Sequence, residues 1–461
     1  WNNRMRIQKE VLVPVAFERT EIAVEDLRRT ANYLKGIEVP LPSDSRFSTS
    51  DLFKVIEGAA YLLKMERDPK LEKQIDDIAD IIAQAQQPDG YLYPPHITGS
   101  YKTAPLWGGA GMGDKPYSWV VHSHELYNMG HLYEAAAAYY QATGKKNLLD
   151  IATKSAKHIN KVFFEGDPNY NGGKPVNQAP GHEEIEIALV KLYRVTGDPL
   201  YLNMAKKFID IRGVTYVPDG KGTMSPEYAQ QHAPVRKQDK AVGHAVRAVY
   251  LYSGMSDVGT LTGDTTLPPA LDKIWGITGG LGAIHGIEGF GPEYELPNKE
   301  AYNETCAAVG NVFFNHRMFL LEKDGKYMDV AEVSLLNNVL AGVNLEGNKF
   351  FYVNPLASDG TVDRSYWFGT ACCPTNLARL IPQISGLMYA HTDNEIYCSF
   401  YTGSKVDFAL TSGKVALEQK TNYPFDESIL LTVNPEKNDQ TFSIKMRIPT
   451  WVGSQFVPGK L

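Results

Sequence analysis

Two short stretches hold three of the chain's four cysteines: Tyr302-Asn303-Glu304-Thr305-Cys306 and Ala371-Cys372-Cys373-Pro374. Thiolate and carboxylate are donors that Zn²⁺ accepts. Glu304, Cys306, Cys372 and Cys373 together supply four of them, a complete tetrahedral set without a histidine. Adjacent cysteines rarely bond to each other, because the bridge strains the peptide between them, and free thiols seldom cluster unless something holds them. The plain alternative, small buried hydrophobes, stays open on spacing alone.

Taken together, Glu304-Thr305-Cys306-Ala307, Cys372-Cys373-Pro374 and Glu288-Gly289-Phe290-Gly291-Pro292-Glu293-Tyr294-Glu295-Leu296-Pro297-Asn298 resemble the glycoside hydrolases of family 127 and the related family 146. Those are zinc-dependent β-L-arabinofuranosidases. The resemblance runs from about Phe47 to Trp451, and it is the combination of separated motifs that is specific. Glycoside hydrolysis ordinarily takes two carboxyl groups, one as acid and one as base or nucleophile. The resemblance implies that a thiolate replaces the second. Cys372 would be the nucleophile, forming a thioglycosyl intermediate with retention of configuration, while Cys373, Cys306 and Glu304 remain as ligands. It places the general acid/base on Glu288, sixteen residues before Glu304, ahead of its neighbours Glu293 and Glu295. A carboxyl serves as acid when apolar contact or nearby negative charge raises its pKa, which Phe290 and the anionic cluster would supply. Zinc keeps a coordinated thiol deprotonated but also dampens its reactivity, so the nucleophile must loosen from the metal as it reacts.

Histidines gather on loops and helix starts: His122, His124, His131, His182, His244 and His285. His124-Glu125-Leu126-Tyr127 and Gly243-His244-Ala245-Val246-Arg247 resemble family stretches whose histidines face the sugar, which implies that His124 and His244 bind substrate hydroxyls. His182, in Gly181-His182-Glu183-Glu184-Ile185-Glu186, is a further substrate-binding candidate, although a helix N-terminus explains that composition as readily. Tyr366, in Arg364-Ser365-Tyr366-Trp367, offers an aromatic face to a sugar or to the core. Within the resembled families some members take the acidic sugar aceric acid, whose carboxylate Arg46 or Lys115 would answer if either stood near the site.

These residues need a scaffold that brings them to one place. From Asp51 onward an apolar-periodic helix, a turn carrying Gly or Asp, and another amphipathic helix recur. The turns are Arg67-Asp68-Pro69, Thr143-Gly144-Lys145, Thr196-Gly197-Asp198 and Thr262-Gly263-Asp264. The unit is a helical hairpin, and counting on through Arg317–Leu340 and Asn376–Tyr389 predicts about twelve helices. One hairpin cannot bury both faces, and a repeat without polar caps solves this by closing on itself. The expected fold is mainly α, an (α/α)6 toroid over residues 21–392, with long loops at one mouth: Pro88–Tyr93, Trp107–Gly111 and Ile277–Ala301. Ile396–Tyr401, Ile429–Val433 and Phe442–Ile448 then read as strands of a partial β-sandwich-type domain over 393–461. Residues 1–20, around Val11-Leu12-Val13-Pro14-Val15, read as a strand segment that would pair with it.

A chain of 461 residues that is 43% hydrophobic has material for a large core and a second domain. A net charge of −7 without basic clusters argues against nucleic acid, and no apolar run spans a membrane. The start at Trp1 implies a processed N-terminus, leaving the compartment open between an exported or periplasmic setting and the cytoplasm. The expected partner is an oligosaccharide or glycan, the expected cofactor Zn²⁺, and the expected activity is exo-acting and retaining, releasing a terminal β-L-arabinofuranosyl or closely related L-furanosyl unit from plant glycans. The competitor from another class is a carbohydrate-binding toroid with a purely structural zinc. A toroidal lyase or epimerase is a third reading, which would have no use for the cysteine pair.

Overall fold

A computed structural model describes residues 1–43, 45–103, 112–217, 225–277 and 302–452. Among them, outer and inner helices alternate in pairs: α1 (Val13–Leu34) with α2 (Ser48–Met65), α3 (Pro69–Ala85) with α4 (Glu125–Thr143), and α5 (Asn147–Asn160) with α6 (Ile185–Thr196). The series continues with α7 (Pro199–Ile211) and α8 (Ala245–Thr262), α9 (Pro268–Ile277) and α10 (Thr305–Glu322), and α11 (Gly325–Val333) and α12 (Cys372–Gln383). Each even-numbered helix packs on the next, and α12 returns to α2, which closes an inner ring. This is the (α/α)6 toroid that the repeat predicts.

The hairpin turns work as their residues dictate. Gly144, Gly197 and Gly263 end inner helices in the left-handed conformation. Asp68 and Asp198 then cap α3 and α7, accepting from the Lys70 and Leu200 amides at 3.0 Å each. Inner helices are buried on almost every face, as in α4, where every residue from Glu125 to Tyr139 is buried. An outer helix such as α3 buries only Glu72, Ile75, Ile78, Ala79, Ile82 and Ala85, the spacing of one stripe. Closure also needs close approach: a Cβ on Gly58 of α2 would lie 2.2 Å from the Ala378 carbonyl oxygen of α12.

Charge runs through the ring's interior. The Arg379 guanidinium of α12 donates to Glu57 at 3.2 Å, to Glu134 and, at 2.7 Å, to the Tyr250 hydroxyl. Lys191 of α6 reaches the same two carboxylates at 2.8 and 2.5 Å. Five of the six inner helices thus share one buried network, and burial is affordable there because every charge meets an opposite one.

The N-terminal segment is not a strand. Residues 2–34 are helical throughout, with a π-turn at Gln8–Leu12 leading into α1. Its buried positions, Leu12, Val13, Ala16, Phe17, Thr20, Ala23 and Val24, follow the helical period, which outweighs the strand-like run Val11–Val15 once the window runs past residue 20. Pro14 lacks an N–H, and the π-turn just before it is where a helix tolerates that loss. The segment belongs to the toroid: the buried Gln8 amide donates to the Leu377 carbonyl of α12 at 3.0 Å.

After α12 the chain forms two three-stranded sheets. One has the order β3 (Tyr389–His391), β4 (Glu395–Cys398) and β8 (Ser443–Met446); the other is β5 (Ser404–Leu410), β6 (Gly413–Thr421) and β7 (Ile429–Pro435). Ile396, Phe408, Leu410, Val415 and Leu417 form the apolar cluster they share. Arg447 ties this region to α11 through Asp329 and through Glu332 at 2.8 Å. No helix among the described residues is long and apolar enough to cross a membrane.

Removing the central cation tests the interior network. Arg379→Ala leaves Glu57 and Glu134 sharing Lys191 alone, and should cost about 3–5 kcal/mol in urea unfolding. Arg6→Ala, which breaks an exposed pair with Glu10, should leave the midpoint unchanged.

Candidate active site

The starts of the inner helices meet at one mouth of the ring. A two-stranded ladder, β1 (Asn303–Glu304) against β2 (Val353–Asn354), leads directly into α10, so Glu304 is its N-cap and Cys306 lies in its first turn. Helix α12 opens on Cys372-Cys373-Pro374, where proline costs nothing because first-turn amides have no helical partner. Thr375 locks that turn, donating to the Ala371 carbonyl at 3.0 Å and approaching Asp51 of α2 at 3.1 Å.

Ligand atoms of Glu304, Cys306, Cys372 and Cys373 all lie within 4.8 Å of one another. Cys306 and Cys373 sulfurs are 3.2 Å apart, those of Cys372 and Cys373 4.0 Å, and Cys372 Sγ stands 3.9 Å from Glu304 Oε1. These are not disulfide distances; they bracket the roughly 3.7 Å that separates two thiolates on one tetrahedral zinc. The donor set therefore fits a metal ion of zinc's size and softness. Cys306, Cys373 and Glu304 are 1%, 0% and 4% exposed, whereas Cys372 is only partly buried. Burial pushes the Cys306 and Cys373 thiols up, while hydrogen bonds from those two sulfurs, aided by Lys54, hold Cys372 well below the usual thiol range.

Lys54 is a residue the sequence reading missed. Fully buried on α2, it pairs with Asp51 at 3.2 Å and lies 5.1 Å over the Tyr127 ring. Its signal was a lysine within the apolar run Leu52-Phe53-Lys54-Val55-Ile56. Tyr352 was missed too: its carbonyl accepts the Thr305 amide at 3.0 Å and lies 3.9 Å from Cys373 Sγ. No local pattern marks it, because only the ladder brings it in.

Three of the four substrate-binding candidates form one continuous surface. The ring of His182 lies 5.8 Å from His124, 5.9 Å from His244 and 4.1 Å from Tyr127, with Phe47 beyond His124 at 5.7 Å. His124 and His244 are the N-caps of α4 and α8, and His182 leads into α6. Burial, reinforced by Arg46 or Arg247, holds all three imidazoles well below their usual pKa, so they are neutral. Tautomers follow from the backbone. Nδ1 of His124 and of His182 faces the carbonyls of His122 and Glu183 at 2.7 and 2.9 Å and must donate, leaving Nε2 as acceptor. His244 Nδ1 accepts the Arg247 amide at 3.5 Å, which leaves its Nε2 as donor. The loop at Pro88–Tyr93 supports this wall: the Tyr91 hydroxyl donates to Glu125 at 2.5 Å and that of Tyr93 to the Ser123 carbonyl at 2.6 Å.

Other candidates fall elsewhere. Tyr366 is 60% exposed with the Lys349 ammonium 4.8 Å over its ring, and it neither stacks on nor hydrogen-bonds to the histidine or cysteine groups. Arg46 does reach the mouth, donating to the His122 carbonyl at 3.4 Å, whereas Lys115 is exposed. His131 is interior, under Tyr127 at 4.6 Å. It converges with Glu134 and Glu184, but Arg379 and Lys191 already neutralise those carboxylates, so this group reads as part of the ion-pair network. Glu288, Glu293, Glu295, His285 and the loop at Trp107–Gly111 lie outside the described residues.

Comparison with known proteins agrees with this geometry. Residues 1–386 match the family described as β-L-arabinofuranosidase, GH127 catalytic domain, and residues 395–458 match the GH127 middle domain. The match thus includes the N-terminal helix, which the resemblance by motif left out. A non-reducing end β-L-arabinofuranosidase of Bifidobacterium longum is 37% identical over 443 residues, covering 88% of this chain. The chain spans 65% of that relative's length. A solved GH127 β-arabinofuranosidase superposes with a TM-score of 0.88 at 44% identity, covering all of this chain and 71% of its own. A GH127 β-L-arabinofuranosidase from Geobacillus stearothermophilus superposes at 0.86 with 37% identity, over 98% of this chain and 74% of its own. A toroid closed on an interior of paired charges, with three cysteines and a glutamate converging where two inner helices begin, is thus the architecture of a member of glycoside hydrolase family 127.

Proposed function

We propose that the chain is a retaining exo-glycosidase that removes terminal β-L-arabinofuranosyl or closely related L-furanosyl units from plant glycans, with zinc as the metal. The observation that carries this reading is the exposure difference within one cluster: Cys372 is partly exposed while its three companions are buried. A purely structural centre has no reason to leave one of its thiols partly exposed.

In this reading Glu304, Cys306, Cys372 and Cys373 hold the metal, which when bound keeps the thiols ionised and the cluster in shape. His124, His182 and His244 present two acceptors and one donor to the sugar hydroxyls. The Cys372 thiolate, at the N-terminus of α12, attacks the anomeric carbon as the glycosidic C–O bond breaks and Glu288 gives its proton to the leaving oxygen. Water then attacks the same carbon, its proton passes to Glu288, and the C–S bond breaks; two inversions leave the configuration retained. The names of the relatives support the choice of sugar.

Three measurements test it. Metal analysis of freshly purified protein should find close to one zinc per chain, and chelation should abolish hydrolysis while leaving helical circular dichroism nearly intact, since the ligands sit on helix starts around a large core. Absence of zinc would defeat the four-ligand assignment. Glu288→Gln should slow substrates with poor leaving groups by 10²-fold or more, in order-of-magnitude terms, and activated aryl glycosides far less. Equal loss on both would move the acid to Glu293 or Glu295. A haloacetamide carrying the L-furanosyl group should alkylate Cys372 and spare Cys373 on peptide mapping; label on Cys373 reverses the assignment, and no label with sugar bound favours a binding protein with a structural metal.

A further inference from the structure

On the face of the β1–β2 ladder away from the cysteines lies a cavity of about 520 Å³. Asn303 and Glu304 are successive strand residues, so their side chains leave opposite faces: Glu304 goes to the metal cluster and Asn303 to this cavity. Its cross-strand partner Asn354 lines the same cavity, as does Asn338 from a π-turn at Ser334–Val339 that prolongs α11. All three are buried, at 1%, 6% and 5% exposure. Asn303 and Asn354 each donate to the other's backbone carbonyl, at 3.3 and 3.1 Å, and Asn354 also donates to the Thr305 hydroxyl at 2.9 Å, while both amide oxygens have no partner among the described residues. Neither the oxygen nor the nitrogen of the Asn338 amide has a partner among the described residues.

Buried amide atoms without hydrogen bonds are costly, and three such side chains bordering one cavity would gain partners from an occupant that can both donate and accept. The π-turn strengthens the argument, since such turns are rare and concentrate at functional sites. Charge identifies the occupant further. Asp363 and Arg364 bring one negative and one positive charge to the wall, so the lining carries no net charge to favour an ionic ligand, and Arg364 also donates to the Ala341 carbonyl at 2.9 Å and stacks over Phe351. Val333, Phe351, Leu356 and Val362 supply apolar wall. Amide edges with an apolar wall match a pyranose or furanose ring, which carries hydroxyls at its rim and C–H on its faces. We propose that this cavity binds a neutral sugar unit of a glycan, at a site separate from the cysteine cluster.

Affinity electrophoresis of the whole chain through gels containing arabinan, galactan, xylan or polygalacturonate tests this. At least one neutral polymer should retard the protein, and Asn338→Leu should weaken that retention tenfold or more, as should Leu356→Asp on the exposed wall. Hydrolysis of a small aryl glycoside should be unchanged in both. The melting temperature of Asn338→Leu should hold or rise, since the change removes unpaired buried polar atoms. Equal retention in both variants and wild type would overturn the proposal. So would retardation by polygalacturonate alone, no retardation by any neutral glycan, or a marked fall in the melting temperature of Asn338→Leu, which would make the amide a structural element. A chain that is retarded through Asn338 yet hydrolyses nothing keeps this site and rejects the activity proposed above.

Discussion

Two helices that begin side by side, although 67 residues separate Cys306 from Cys373 in the chain, are what the site depends on. Stacking of consecutive inner helices gives that adjacency, and ring closure braces it from the other side. Helix α12 must come back to α2, where Gly58 lets the Ala378 carbonyl approach and where Asp51 meets Thr375 in the turn that carries the cysteine pair. The N-terminal helix seals the joint through Gln8. An open solenoid of the same hairpins would leave α12 without α2, and the turn that carries the cysteine pair would lose its Asp51–Thr375 brace.

Helix polarity then separates two environments within the toroid. The positive ends of α10 and α12 point at the mouth, where they favour the ionised forms of Glu304 and the Cys372 thiol. At the opposite end, where inner helices present their negative ends, Lys64, Arg194 and Arg317 line a cavity of about 550 Å³. Between the two lies the paired network of Arg379, Lys191, Glu57 and Glu134. The histidines at the mouth stay neutral because burial beside Arg46 and Arg247 opposes their protonation. A neutral, hydrogen-bonding wall beside an anionic thiol suits a sugar, which brings hydroxyls and no charge of its own.

The helical repeat was legible because its turns carry local chemistry: a glycine that alone tolerates the left-handed cap and an aspartate that caps the next helix. The N-terminal segment misled because the valine-rich run Val11 to Val15 within residues 1–20 reads as strand, and helical character shows only when the window extends to Ala31. Tyr366 misled differently. Its position six residues before Cys372 suggested nearness, but the intervening chain turns it outward to meet Lys349.

By itself the sequence determined which atoms are available for chemistry, since ligand type and the capacity for hydrogen bonding belong to the side chain wherever it goes. It also determined the hairpin unit, because caps act within a few residues. Only the tertiary structure decided which of those atoms meet. The pairing of Glu304 with Cys372, the alignment of His124, His182 and His244, the placement of Lys54 beneath Tyr127 and the three asparagines around one cavity all join residues from different elements. The physical reason is that these contacts are imposed by closure of the ring and by the alternation of a short strand pair, which are properties of packing and leave no trace in local spacing.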